Sequence, residues 1–344
     1  MYIGELDRIT NIARRFDNMN NALEQKCRLL LWNHDAMSKA FRWDNGSMML
    51  AGSSFFVGMN LEADTEKLKE CADVLKQKTG PFSAFRGNIR MPLICKMAVS
   101  ENPEQYFENV NAIVQQMKPL KWISADYKIL TALTLRDYLE MEEILPAINK
   151  MTNLYRGMKN NHPWITSDED IPFAAILVVS GLDTDVLLAE METCYELLGE
   201  KFRDKNAVQS LSHIMAVNPA DAAAKCQKIE NIFDVLKTNR HKYGSGYELA
   251  VLGTLSMLDL PEAQIAQEII EADDYLKKAK GFGKFSMGDN MRRMYAALMV
   301  MDAHMPPASH SHESLVSAVL ALVIAMEICM VILMTSVVLT TTAN

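Results

Sequence analysis

One stretch of the sequence indicates the fold class, and it reads Tyr106-Phe107-Glu108-Asn109-Val110-Asn111-Ala112-Ile113-Val114-Gln115-Gln116-Met117. Its apolar residues at positions 106, 110, 113 and 117 share one stripe of an α-helix, because a helix makes a turn every ~3.6 residues. The same spacing returns along the chain, in full or in part. The helices that it predicts close at Leu75, Met117, Tyr155, Leu198, Leu236 and Leu276, about 40 residues apart.

Shorter and more apolar segments, which we call A helices, alternate with these amphipathic helices, which we call B helices. The sequence predicts A helices over residues 90–99, 127–135, 171–180, 209–217, 248–258 and 293–301. An A helix that is apolar on most sides belongs inside, and a B helix with one charged face should cover it. No such pair can bury its apolar face alone, so we expect about six αα-hairpins to stack into a curved, α-solenoid-like rod.

The chain divides into three segments in this all-α interpretation. Residues 1–44 would cap the array as a degenerate hairpin, residues 45–302 would form the helical repeats, and residues 303–344 would contribute a Pro- and His-rich loop and an apolar helix. The apolar stretch 315–339 is long enough to cross a bilayer. It also contains Glu327 and lacks basic or aromatic borders. Two interpretations stay open, namely a packed last helix and a membrane anchor that tethers the scaffold.

The joints from a B helix to the next A helix share a signature, in which an aromatic residue precedes a hydroxyl residue that opens helix A. The aromatic residues are Phe82, Trp122, Trp164 and Phe285. We expect each of them to fill the gap between neighbouring units, as a hydrophobic residue before a helix cap often does.

Composition narrows the classes of function. The chain has 35 Lys and Arg against 43 Asp and Glu, a net charge of −8, which argues against nucleic acid as a partner. Only 15 Gly and 11 Pro beside 24 Met favour packed helices over an all-β fold. The six Cys residues lack C-x-x-C spacing, and the N-terminus carries charge from Glu5 onward. Both features indicate a protein of the reducing cytoplasm.

Polar residues recur at the first turns of the A helices and make up the candidate site. They are Arg90, Asp170, Gln209, Glu248 and Arg293. Equivalent positions of a stacked array lie along one edge, so these side chains would line a shared polar groove. The alternative is a row of ordinary solvated first turns. His213 lies within an apolar A helix. It could be a proton-transfer group, and the alternative is a hydrogen-bonded side chain of the core.

His304, His310 and His312 are the His residues that could form a metal site, but their loop fixes no tetrahedral geometry. The sequence contains no G-x-x-x-x-G-K-[ST], H-E-x-x-H or G-x-S-x-G motif. We therefore predict no metal and no cofactor.

Four segments carry a resemblance to a known family. They read Phe82-Ser83-Ala84-Phe85-Arg86, Trp164-Ile165-Thr166-Ser167-Asp168-Glu169-Asp170-Ile171-Pro172-Phe173-Ala174-Ala175, Gln209-Ser210-Leu211-Ser212-His213-Ile214 and Met294-Tyr295-Ala296-Ala297-Leu298-Met299. The chain resembles, over most of its length, an uncharacterised bacterial family, mainly Gram-positive, that is catalogued as a domain of unknown function. The resemblance implies no activity, cofactor or catalytic residue. It implies an apolar C-terminal end, which favours the packed last helix.

The sequence therefore favours a non-enzymatic helical-repeat protein of the cytoplasm that binds a protein or peptide partner. The alternative is an enzyme or small-ligand binder that uses the polar groove. In that case Asp170 or Glu248 would be the acid or base, and Arg90 or Arg293 would hold an anionic group.

Overall fold

The computed structural model describes residues 19–42, 46–284 and 286–304, apart from the side chain of Ser47. These residues form helices and no strand, which confirms the predicted all-α fold. Fourteen α-helices, α1 to α14, span Asn21–Ala40, Gly46–Gly58, Thr65–Lys78, Arg90–Val99, Pro103–Gln116, Ala125–Tyr138, Ile144–Asn161, Ile171–Val179, Thr184–Gly199, Lys205–Met215, Ala222–Thr238, Leu249–Thr254, Glu262–Leu276 and Asp289–His304. Short 3-10 helices span Ala84–Arg86, Asp168–Asp170 and Leu255–Met257.

The odd-numbered helices are B helices, and each buries one apolar stripe. Of the six closing residues predicted from the spacing, five are buried. Tyr155 is half-buried, and its ring stacks on Trp122 with centroids 4.5 Å apart. The predicted stripes are thus the faces on which these helices pack.

The even-numbered helices are A helices and are buried on almost every side. In α8, residues 171–178 are all buried, and in α10 residues 207–215 are all buried. A helix without a polar face is stable only when its neighbours cover it completely. Each Leu or Ile side chain that becomes buried then contributes about 1.5–3 kcal/mol to the stability of the fold.

Side-chain caps explain where the B helices begin. Asp64, Asn102, Asp183 and Asp221 each accept a hydrogen bond from a backbone N–H in the first turn of the helix that follows. These caps satisfy donors that a helix N-terminus otherwise leaves without partners.

The two ends of the described chain meet. Helix α1 packs against α2 and also against α13 and α14. Lys26 of α1 places Nζ 2.9 Å from Asp302 Oδ2 of α14, and the same Nζ donates to the carbonyl of Val57 at 3.3 Å. The helix contacts therefore run in a closed circuit, and the rod with two free ends that we expected is not observed.

Two predicted segments lie partly or wholly outside the described residues. Of the N-terminal cap over residues 1–44, the described part is chiefly α1, which lies between α2 and the last described helices. The apolar stretch 315–339 is outside the described residues. Among the residues that are described, no helix combines the length and hydropathy needed to cross a membrane.

The aromatic residues of the B-to-A joints do not fill the gaps between units, so that prediction is wrong for the three that are described. Phe82 is 101% exposed, Trp164 95% and Trp122 44%. In the first of these joints the 3-10 turn directs Phe85 inward instead, against Phe107 with ring centroids 5.2 Å apart. Phe202, Tyr243 and Phe282 are the buried aromatic residues of other joints. Phe285 lies outside the described residues.

Candidate functional site

The best-defined polar cluster of the predicted edge begins at the turn that precedes α8. Ser167 and Asp170 form a capping box, in which Asp170 Oδ2 accepts the Ser167 N–H at 2.9 Å and the Ser167 hydroxyl accepts from the Glu169 N–H. The box holds the Asp170 carboxyl group inside the protein, where the residue is only 4% exposed.

The neighbouring helix α10 places two further polar side chains against this turn. Gln209 Nε2 donates to Thr166 Oγ1 at 2.9 Å, and Asp170 Oδ1 lies 3.9 Å from His213 Nδ1. Within the described residues, Gln209 Oε1 and His213 Nδ1 are buried without a hydrogen-bond partner. The structure thus brings together Asp170, Gln209 and His213 of the predicted set.

Burial sets the charge state of this cluster. Desolvation raises the pKa of Asp170 to about 8, more than the Ser167 N–H lowers it. Desolvation, together with a smaller effect of the nearby His162, lowers the pKa of His213 to about 3. The charged form of a buried group lacks the hydration that it would have in water. Burial therefore favours the neutral form of both an acid and a base. Asp170 is therefore protonated and His213 uncharged at neutral pH.

A second contact crosses the same end of the molecule. Tyr247 donates its hydroxyl to Glu169 Oε1 at 2.9 Å, and Ser124 N–H donates to Asp168 Oδ2 at 2.8 Å. Burial raises the pKa of Glu169, although the hydrogen bond from Tyr247 opposes the rise. Burial and the neighbouring Glu169 raise the pKa of Tyr247. These bonds tie the joints before α6, α8 and α12 to one another.

The other predicted edge residues are engaged elsewhere. The Arg90 guanidinium lies 5.8 Å from the centre of the Phe41 ring. The Glu248 carboxylate folds over the loop before α12, so closely that a methyl group at Gly244 would overlap its Oε1 atom. Arg293 places Nε 3.2 Å from Asp273 Oδ2 and donates to the carbonyl of Lys242 at 2.6 Å.

The metal alternative gains no support from the described residues. His304 pairs with Glu268, and His310 and His312 lie outside the described residues. No group of three or more His, Cys, Asp or Glu in the described parts of the chain has the arrangement needed to hold a metal ion.

Sequence reasoning missed a larger buried charge network. Asp273 Oδ1 lies 2.5 Å from Arg292 Nε, its Oδ2 lies 2.9 Å from His241 Nδ1, and the Asp273 and Arg292 side chains are each 1% exposed. Arg292 also reaches Asp289 at 2.9 Å. Arg292 stands directly before the predicted A helix 293–301, and a charge beside an apolar helix was the available signal, because buried charges require partners. The first-turn pattern drew attention to Arg293 instead.

The geometry of the Asp170 cluster favours a structural role over acid–base chemistry. Asp170 and His213 are enclosed by α8 and α10, and the Phe173 ring lies 5.8 Å from the imidazole. Two surface cavities of about 300 and 390 Å3 lie along α1 and are lined by other residues, including Tyr275 and Trp32. A general acid or base must reach the proton that it transfers.

Fold and site together define an all-helical protein of alternating amphipathic and fully buried helices with a desolvated polar cluster. The chain belongs to the family described as "Protein of unknown function (DUF4003)", whose model matches residues 33–329. It is similar to the uncharacterized protein YeaA of Bacillus subtilis (strain 168), with 24% identity over 244 residues, 68% of this chain and 71% of the relative. A comparison with solved structures gave no significant match.

Proposed function

We propose that this protein is a non-enzymatic cytoplasmic scaffold whose helical hairpins repeat around a closed array and which binds a basic, amphipathic segment of a partner protein. The supporting observation is a group of exposed apolar side chains at and beside six joints whose own residues include acids and no Lys, Arg or His.

The rim consists of the six A-to-B joints, residues 59–64, 100–102, 139–143, 180–183, 216–221 and 255–261, and we call it the acidic rim. Contacts such as the Asn218 Nδ2 to Ser256 Oγ hydrogen bond of 2.8 Å connect neighbouring joints. The joints contain no Lys, Arg or His. Their nine acidic residues, all exposed, are Glu62, Asp64, Glu101, Glu140, Glu142, Glu143, Asp183, Asp221 and Asp259.

Helix chemistry accounts for part of this charge, because acidic residues stabilise the N-termini of the B helices that begin here. It does not account for the absence of basic residues from the joints themselves, nor for the exposed apolar side chains beside them. Tyr138, Leu145, Leu182 and Val186 are 38% to 59% exposed, and we call them the apolar patch. Lys150 Nζ donates to the carbonyl of Leu182 at 2.9 Å, which ties the beginnings of α7 and α9 together.

Exposed apolar side chains among charges of one sign match an amphipathic segment of the opposite charge. The segment's apolar face would cover the patch, and its Lys or Arg side chains would lie near Glu140, Glu142 and Glu143. Long-range attraction would also speed the encounter at low ionic strength.

A fluorescently labelled helical peptide of about 20 Leu and Lys residues provides the test, with fluorescence anisotropy as the readout. We expect saturable binding that weakens as salt increases. A Leu145→Ser, Val186→Ser variant should bind at least ~10-fold more weakly, which corresponds to about 1.4 kcal/mol.

Matched controls separate a built surface from general attraction to an acidic protein. Glu140→Lys, Glu142→Lys and Glu70→Lys, Asp73→Lys change the net charge equally, but only the first pair lies on the acidic rim, and all four residues are exposed. Equal effects of the two pairs, or unchanged affinity when Leu145 and Val186 are replaced, would refute the proposal.

A further inference from the structure

The opposite end of the helical array has a different surface chemistry. There the B-to-A joints, residues 79–89, 117–124, 162–170, 200–204, 239–248 and 277–288, connect the C-termini of the B helices to the A helices. We call this end the basic rim. Its charge and its exposed aromatic residues are independent observations.

Aromatic side chains project from three consecutive joints of the basic rim. Phe82 and Trp164 are fully exposed, and Trp122 is 44% exposed while it stacks on Tyr155. Phe85 fills the gap beneath the first of these joints, so packing of the fold does not explain the exposed Phe82 ring. Large aromatic residues at the tips of loops are typical of surfaces that enter the interface between lipid headgroups and acyl chains.

The rim is also basic, although the whole chain is acidic. Its joints contain six Asp or Glu residues, one of which is the buried Asp170. They contain eleven Lys or Arg residues, namely Arg86, Lys118, Lys121, Lys201, Arg203, Arg240, Lys242, Lys277, Lys278, Lys280 and Lys284. The joints of the acidic rim contain nine acids and no basic residue, and three Lys side chains of the adjoining B helices, Lys150, Lys225 and Lys228, reach carbonyl groups there. The joints at the two ends thus differ in charge along the direction of the helices. A negatively charged plane would attract the basic rim and repel the acidic rim.

The arrangement of the aromatic tips favours a broad surface over a pocket. Each tip belongs to a different joint, and the joints are held side by side, as the 2.8 Å bond from Ser124 N–H to Asp168 shows. A protein partner would need three separate apolar pockets in the same register. A bilayer accepts all three side chains wherever they meet it.

We propose that the basic rim docks this protein peripherally onto an anionic lipid membrane, with Phe82, Trp122 and Trp164 entering the headgroup region. The rim is then membrane-facing, and the acidic rim faces away from the bilayer. This proposal stands independently of the partner proposed for the acidic rim.

Co-sedimentation of the full-length protein with vesicles tests the proposal. We expect binding to phosphatidylcholine vesicles that contain about 30% phosphatidylglycerol and little binding to pure phosphatidylcholine. Phe82→Ala, Trp164→Ala should weaken binding at least ~10-fold, and Lys118→Glu, Lys121→Glu should weaken it and reduce its salt dependence. Leu145→Ala, Val186→Ala on the acidic rim is the matched control and should leave binding unchanged.

Tryptophan quenching by brominated lipid shows which surface touches the bilayer, including the case in which residues 315–339 mediate binding. The chain has Trp32, Trp43, Trp122 and Trp164, and replacing three of them with Phe leaves a single reporter. Trp164 alone should be quenched, whereas Trp32 alone, on the B helix α1, should not. Three results would overturn the proposal: absence of vesicle binding, equal quenching of both reporters, or binding without quenching of Trp164. The last result would show that another segment contacts the bilayer.

Discussion

Asp170 Oδ1 lies 3.9 Å from His213 Nδ1, and both residues are buried between α8 and α10. In water such a pair would ionise to a carboxylate and an imidazolium. Here desolvation favours the neutral form of each, so the pair is an uncharged polar contact inside an apolar helix layer. As pH rises, ionisation in the unfolded state therefore lowers stability through Asp170, whereas loss of the proton in the unfolded state raises it through His213.

Asp170→Asn should flatten the decline of stability toward alkaline pH. The folded pKa of about 8 exceeds the unfolded value near ~3.9, so the unfolded state ionises first and stability falls as pH rises from ~4 to ~8. Asn cannot ionise and can still accept the Ser167 N–H. Urea unfolding at pH 5 to 8 should show a loss smaller by about 1 kcal/mol or more than in the wild type. Asp73→Asn, at an exposed position, should follow the wild type; parallel curves for Asp170→Asn would contradict the assignment.

His213→Gln should reduce the loss of stability toward acidic pH. The folded pKa of about 3 lies below the unfolded value near ~6.5, so the unfolded state binds the proton first. Stability falls as pH drops from ~6.5 toward ~3, and a side chain that does not titrate removes this part of the loss. The measurement is the free energy of unfolding between pH 7 and 5. His162→Gln, at the half-buried pair with Glu192, provides the comparison. An unchanged slope in His213→Gln would show that His213 binds its proton equally well in the folded and unfolded states, contrary to the prediction.

Asp273→Asn should be strongly destabilising. The substitution leaves the Arg292 guanidinium, whose side chain is 1% exposed, without its closest carboxylate. Removing one partner of a buried ion pair costs about 3–5 kcal/mol. The free energy of unfolding should fall by that order, while Asp274→Asn, whose carboxylate is 40% exposed and 3.9 Å from His241, should lose less than about 1 kcal/mol. Similar effects of the two substitutions would argue against the buried network.

Phe85→Ala and Phe82→Ala should differ sharply although the two residues are three positions apart. Phe85 is buried against Phe107, and truncating a buried Phe costs about 3–5 kcal/mol. Phe82 is fully exposed, so its truncation should change stability by no more than about 0.5 kcal/mol. Thermal unfolding of both variants is the measurement. A large loss in Phe82→Ala would mean that this ring is the one that fills the gap.

Lys26 and Asp302 should be coupled energetically, because their contact joins the first described helix to the last. In a double-mutant cycle with Lys26→Met and Asp302→Asn, the effects on stability should deviate from additivity by about 0.5–3 kcal/mol. Lys26 Nζ and Asp302 Oδ2 are 2.9 Å apart, and Asp302 is almost completely buried. We therefore expect a coupling energy larger than that of an ion pair on the protein surface. Additive effects would argue that the two ends are not in contact in solution.

About half of the candidate site was predictable. Asp170 ends the turn before α8, and Gln209 lies on the neighbouring α10, so the idea of an edge built from equivalent positions placed these two together. His213, also on α10, stood out as a histidine within an apolar helix. Arg90, Glu248 and Arg293 occupy similar sequence positions, yet Arg90 faces the Phe41 ring, Glu248 lies against its own loop, and Arg293 bonds to Asp273 and to the Lys242 carbonyl. Long side chains choose among several nearby partners, and sequence position alone does not identify them.

The sequence by itself determined the helices. Its local periodicity and caps set α4 over the predicted residues 90–99, and they identified the buried stripes of the B helices. These features depend on residues only a few positions apart, so a short stretch contains all the information that they need.

Only the tertiary structure decided how the helices are arranged and which polar groups are buried. Three features depend on residues that are far apart in the chain. They are the contact of α1 with α14, the outward direction of Phe82 and Trp164, and the desolvation of Asp170 and His213. Small differences in the angle between successive hairpins accumulate around the array, and that sum determines whether its ends meet.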